Sequence, residues 1–109
     1  MNDTLLFWSP GPLLRLAPAE VAREIVWGEE VDGLNDLNVK EIIDALKAAF
    51  PQHEERSGLL IGRAGVGSFE ATWTWQHVKV DCRDLPADDR QRLIDTVEAA
   101  GCQAYEAGR

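Results

Sequence analysis

His77 and Cys82 are the pair in this chain whose chemistry could make a base and a nucleophile. A histidine activates a thiol only when the two side chains meet, and their separation of five along a strand puts them on opposite faces unless a bulge intervenes. The spacing predicts a small buried hydrophobe at Cys82. Cys102 lies twenty residues beyond Cys82, which fits no metal-site or redox spacing, and in a reducing compartment both remain thiols. They could be neighbours if the last strands are adjacent. His53 precedes Glu54-Glu55-Arg56, but no second histidine follows four residues later, so the zinc-protease pattern is absent. The run Gly62-Arg63-Ala64-Gly65-Val66-Gly67-Ser68 has the outline of a phosphate-binding loop without its lysine, and it leads into a strand-like segment rather than a helix. These glycines are expected to serve a hairpin. No serine stands in a nucleophile elbow and the carboxylates do not converge on one strand end. The residues thus name no catalytic group, no metal ligand and no cofactor.

The stronger signal is charge beside aromatics. Nineteen acidic against eleven basic residues give a net charge of −8. Eight of the acids fall between Glu20 and Asp44, against Arg23 and Lys40, a local balance of −6. Such a surface repels a phosphate backbone and steers a basic protein toward it, so nucleic acid is not expected as a partner. Of the four tryptophans, Trp8 and Trp73 fit core positions. Trp27 sits at a helix end next to Glu29 and Glu30, and Trp75 sits where the hydrophobic alternation changes phase. An exposed indole as anchor with carboxylates around it has the composition of a protein-binding hot spot. The candidate partner-binding residues are Trp27, Glu29, Glu30, Asp32, Asp36 and Trp75.

These residues must be carried by a single domain spanning 1–109, a length that already buries roughly two-thirds of the unfolded surface. Apolar residues at 45% and charged residues at 28% argue against disorder. Thr4 to Trp8 reads as a central strand, apolar on both faces, and is closed by Ser9-Pro10-Gly11-Pro12. That apolar run is too short for a signal-peptide core and carries no basic flank, and no segment approaches the ~20 residues of a membrane span, so a cytoplasmic protein is expected. Leu13 to Leu16 is expected to be a packed loop. Pro18 opens a helix with Val21, Ala22, Ile25 and Val26 on its apolar face, and Gly28 ends it. An acidic connector follows, pinned by Leu34 and Leu37. A second helix starts at the Asn38 cap with Glu41 completing a capping box. Val39, Ile42, Ile43, Leu46 and Ala49 form its inner face, and Pro51 stops it.

Gln52 to Ser57 reads as a polar turn. Three strands are expected at Gly58–Arg63, Ser68–Thr74 and His77–Arg83. Phe69, Ala71, Trp73 and Trp75 share one parity and Val78, Val80 and Cys82 the other, so the chain turns or bulges near Gln76. Pro86 opens a third helix with Leu93, Ile94, Val97 and Ala100 inward, and Gln103 to Glu106 forms a short edge strand. The order β-α-α-β-β-β-α-β predicts an α+β two-layer sandwich related to ferredoxin-like folds, a mostly antiparallel sheet of four to five strands with helices on one face.

The segments GEEVDGLNDLNVKEIIDALKAAFP, GSFEATWTWQHVKVDC and DDRQRLIDTVEAAGCQAYE, which cover most of the chain, resemble a group of small acidic bacterial proteins of unassigned function, some similar in character to immunity proteins of polymorphic toxin systems. The resemblance implies a stoichiometric inhibitor that neutralises a toxin in the cytoplasm by covering its active site. No inhibitory residue is carried over from a motif. Two other readings are a small enzyme or ligand-binding domain using a pocket between meander and helices near His77, and a self-associating subunit pairing through a strand edge.

Overall fold

The computed structural model describes residues 2–107. In chain order the elements are β1 (Asn2–Trp8), α1 (Pro18–Val26), α2 (Val39–Ala49), β2 (His53–Arg56), β3 (Leu59–Ala64), β4 (Gly67–Trp73), β5 (His77–Arg83), α3 (Ala87–Ala99) and β6 (Gln103–Glu106). The strands form one antiparallel sheet in the order β2-β3-β4-β5-β1-β6. The class is α+β, as expected.

β1 runs through the interior because its residues are apolar at both parities. Leu5 and Phe7 pack against α2 and α3, whereas Leu6 and Trp8 pack on the opposite face against α1 and the connector. All four are at most 1% exposed, and burial of each such side chain stabilises by roughly 1.5–3 kcal/mol. The two main helices share one face, as the crossover rule requires. α1 is the exception to helices on one face, and the second apolar parity of β1 is the reason: Leu6 and Trp8 need their own cover.

The sheet has six strands rather than four or five, because residues expected to form a polar turn make β2. Arg56 pairs with Leu59, so the turn shrinks to Ser57-Gly58. An edge strand needs no apolar alternation, and charged side chains on it discourage pairing with another chain. The sequence His-Glu-Glu-Arg therefore carries no strand signal while still completing the sheet. The glycine-rich run does make a hairpin, with Ala64 paired to Gly67 across Gly65-Val66.

α2 begins as its cap predicts. Asn38 Oδ1 accepts from the Glu41 backbone N–H at 3.3 Å, and the Asn38 side-chain amide donates to the Glu41 carboxylate at 3.2 Å. Ile42, Ile43 and Leu46 are buried. In α3, Leu93 and Val97 are buried, and Ile94 and Ala100 pack beside them. Pro86 is the residue before α3 rather than its first. Arg90 on α3 ties the helix to both strands it crosses, at 2.7 Å from Asp3 on β1 and 2.6 Å from Glu106 on β6.

In α1 the buried stripe is Val21, Ala22 and Ile25. Val26, expected on that stripe, is 64% exposed. One residue past Ile25 turns the helix by a further 100°, which carries Val26 off the stripe. Leu13, expected in a packed loop, is 78% exposed, while Leu14 and Leu16 do pack against the core.

Candidate functional site

The acidic connector between α1 and α2 is held as firmly as a strand, although it is not one. Gly11 N–H donates to Gly33 O at 2.8 Å, Asn35 N–H to Ser9 O at 2.8 Å, and Leu37 N–H to Trp75 O at 2.9 Å. Leu34 forms an isolated antiparallel bridge with Pro10. Val31 and Leu34 are buried under β1, and Leu37 packs on the opposite side of the sheet. The strongest fixture is Gln76 in the loop between β4 and β5. Its amide accepts from Val31 N–H at 2.9 Å and donates to Val31 O at 2.7 Å, so one buried side chain satisfies both backbone groups of a buried residue. With Val31 fixed inward, its neighbours Glu30 and Asp32 are exposed.

The six candidate residues are all exposed and fall into three neighbourhoods. Glu30 and Asp32 line a groove of 490 Å³ together with Glu24, Arg15 and the apolar Leu13, Leu16 and Val31. Trp27 is 68% exposed and lies on the other flank of α1. It lines a second groove of 230 Å³ with Ala19, Ala22, Val26 and Tyr105. The Arg23 guanidinium stacks over its ring at 5.8 Å. Trp75 is 50% exposed and belongs to the hairpin loop rather than to the buried parity of β4. The Leu37 N–H bond to Trp75 O places it beside Asp36. Glu29 lies between the two grooves in sequence, with its N–H bonded to Glu24 O at 3.0 Å. One acidic belt thus runs from Glu29 to Asp36, with an exposed indole near each end.

The residues with chemical potential are separated. Trp8 and His77 are directly opposed on β1 and β5, which puts His77 on the α1 face of the sheet, while Cys82 is in the core on the other face. His77 Nδ1 lies 3.0 Å from Thr74 Oγ1, and that oxygen accepts from the Gln76 and His77 backbone N–H groups. The histidine therefore locks the turn. Burial, with Lys79 adding to it, lowers its pKa. Burial, reinforced by Asp3, pushes the Cys82 thiol up to about 11, and burial also raises Cys102. Because β1 lies between β5 and β6, the two cysteines are not on adjacent strands, and both are free.

These shifts predict a pH profile. Unfolded Cys82 ionises near its ordinary value of 9 while the folded thiol stays protonated up to about 11, so stability falls as pH rises through that window. His77, lowered in the fold, contributes stability that is complete above pH 6.5 and is lost as pH falls below it. Denaturant midpoints are expected to fall on both sides of a neutral plateau, and Cys82 is expected to resist an aromatic disulfide reagent at pH 8 until denaturant is added.

Two further hollows complete the surface. A cavity of 340 Å³ between α2 and the meander is lined by Val39, Ile43 and Trp73, with the Lys47–Glu55 ion pair at its mouth. His77 is on the other side of the sheet from it. A polar depression on the open sheet face holds Thr4, Ser68, Glu70, Asp81 and Arg83, where Thr4 donates to Asp81 at 2.7 Å. Among the described residues no group of three or more histidine, cysteine or acidic side chains is placed to hold a metal ion, and no helix is long and apolar enough to cross a membrane.

Sequence reasoning missed Gln76, since a glutamine in a loop gives no sign of burial. It also missed Leu13, Val26 and Tyr105 as surface partners of Trp27 and the acids. The signal available for Val26 was its position beyond the three-residue stripe. The chain matches no protein-family model, no curated protein and no solved structure.

Proposed function

We propose that this chain is a protein-binding module that engages a basic protein surface through the acidic belt and its exposed indoles. The observation that carries the reading is the double hydrogen bond from Gln76 to Val31, with Glu30 and Asp32 exposed on either side. A charged segment already ordered before binding loses little conformational entropy on association, and complementary charge accelerates the encounter. Trp27, Val26 and Leu13 supply large apolar area beside the acids, the composition from which interface anchors are drawn.

The finer form of the proposal is an immunity-type inhibitor, binding a cognate toxin one-to-one in the cytoplasm and covering its active site. The two buried free thiols are compatible with a reducing compartment. The test is affinity capture from the native cell lysate, with identification of the partner and titration against it. Replacing Glu29, Glu30 and Asp32 together by lysine is expected to weaken that complex by at least a hundredfold at moderate salt. Unchanged affinity would overturn the acidic-belt reading. Rescue of cell growth on co-expression with a captured toxin would separate an inhibitor from another kind of binding protein.

A further inference from the structure

β6 is the last strand of the sheet on its side, and α1 lies along the same margin. Ala107 N–H donates to Thr4 O at 2.9 Å, in register with Leu6 opposite Tyr105 and Trp8 opposite Gln103. In an antiparallel strand the residues that bond one neighbour alternate with those that face away. Gln103, Tyr105 and Ala107 therefore point their backbone groups at β1, and Ala104 and Glu106 point theirs outward. Among the described residues no backbone bond covers those two positions. Directly above this margin runs the groove between α1 and β6, lined by Ala19, Ala22, Val26, Trp27, Tyr105 and Ala107, with Arg23, stacked on the Trp27 ring, as its one charged side chain. Two of its residues, Val26 and Trp27, are among the most exposed large hydrophobics of the protein, at 64% and 68%.

An open strand edge beside an apolar helix-strand groove is the geometry that accepts an extended peptide as an added strand. The geometry points to β6 as the acceptor of a seventh strand supplied by a protein partner, an extended segment alternating apolar and basic residues. Its apolar side chains enter the groove over Tyr105, where Arg23 is already engaged with Trp27. Its basic side chains emerge on the other face, where Glu106 is 63% exposed although paired with Arg90. Opposite charges facing across strands stabilise the pairing, and the net charge of −8 draws a cationic segment in while opposing a second copy of this chain. This deepens the protein-binding reading and rests on it for the charge of the partner.

The test uses the full chain and a fluorescein-labelled eight-residue peptide alternating valine and lysine with blocked ends. Three companion peptides have glutamate for lysine, N-methyl groups on the valines, or N-methyl groups on the lysines. In a strand all residues of one parity point their N–H groups the same way, so only one of the two methylated peptides loses donors to the edge. Binding of the parent peptide is expected by anisotropy at low salt, with at least a tenfold loss for the glutamate peptide and for one methylated peptide but not the other. Amide exchange at Ala104 and Glu106 is expected to slow at least tenfold in the bound state. Ala104→Pro, which removes an outward N–H at an edge where proline is tolerated, is expected to keep its melting temperature within a few degrees and lose binding tenfold.

Absence of binding, equal behaviour of the methylated peptides, or unchanged exchange at Ala104 and Glu106 would overturn the proposal. So would a concentration-dependent dimer of the wild-type chain that disappears in Ala104→Pro, since the strand would then come from a second copy. If Ala104→Pro does not fold, the exchange measurement on the wild-type chain decides alone. The lysine replacements at Glu29, Glu30 and Asp32 distinguish the two readings. A captured partner lost with them but kept by Ala104→Pro leaves the acidic belt standing and removes the strand seam.

Discussion

Gln76→Leu is expected to lower stability by about 2–4 kcal/mol and the melting temperature by about 10–20 °C. The replacement is close in size, so the loss is not one of volume. It leaves the N–H and C=O of Val31, a residue 2% exposed, without the partners that the amide supplies at 2.9 and 2.7 Å. Each buried group stripped of its hydrogen bond costs about 1–3 kcal/mol. Gln76→Glu separates the two bonds. The introduced carboxylate still accepts from Val31 N–H but repels Val31 O, whereas the protonated carboxyl can donate to it. Its folded pKa is therefore raised, and its deficit against the wild type is expected to shrink as pH falls toward the ordinary carboxyl range and to be full at neutral pH. Thermal melts of the three proteins at pH 4.5 and 7 check this. A constant deficit across that range would show that the second bond contributes nothing. If the acidic belt binds as proposed, Gln76→Leu also weakens the partner below the melting transition, because the connector must then be ordered at the moment of association.

Gly62→Ala is expected to cost about 1–3 kcal/mol by overpacking, although it adds a single methyl group to a strand. A Cβ at position 62 would stand 2.1 Å from Cε2 of Phe69, whose ring lies across the glycine from the paired position on β4. Phe69 cannot yield freely. It is fully buried and meets Phe50 at the end of α2 edge-on, with centroids 4.9 Å apart. Removing the ring with Phe69→Ala costs about 3–5 kcal/mol through lost burial and the cavity left behind. In Phe69→Leu the smaller side chain leaves room at position 62, so Gly62→Ala is expected to be nearly neutral in that background. Denaturant unfolding of the four proteins in that cycle measures the coupling. Additive losses would place the strain elsewhere than in the ring.

Much of the fold could be read from local signals. Asn38 and Glu41 mark the start of α2 because a cap bonds groups three residues apart. The alternation in Val78, Val80 and Cys82 marks β5 because its inward residues all meet the same core. The doubled apolar parity of Leu5 to Trp8 announced a strand covered on both faces, and the structure supplies two separate covers. β2 was illegible because strand identity at a sheet edge comes from the backbone of its neighbour: Glu54 and Glu55 are in a strand because Ile61 and Leu60 pair with them.

The candidate site divides along the same line. The sequence alone determined that the stretch from Glu29 to Asp36 is acidic and that Trp27 stands just before it, since charge and aromatic content are properties of residues; that Trp75 stands at its other end was decided by the bond from Leu37 N–H to the Trp75 carbonyl. Only the tertiary structure decided that Trp27 faces β6 while Glu30 and Asp32 face Leu13 and Leu16, and that a glutamine forty-five residues away holds Val31 between them. Those contacts join segments far apart in the chain, and their geometry follows from where the sheet places each segment, which no window of neighbouring residues encodes.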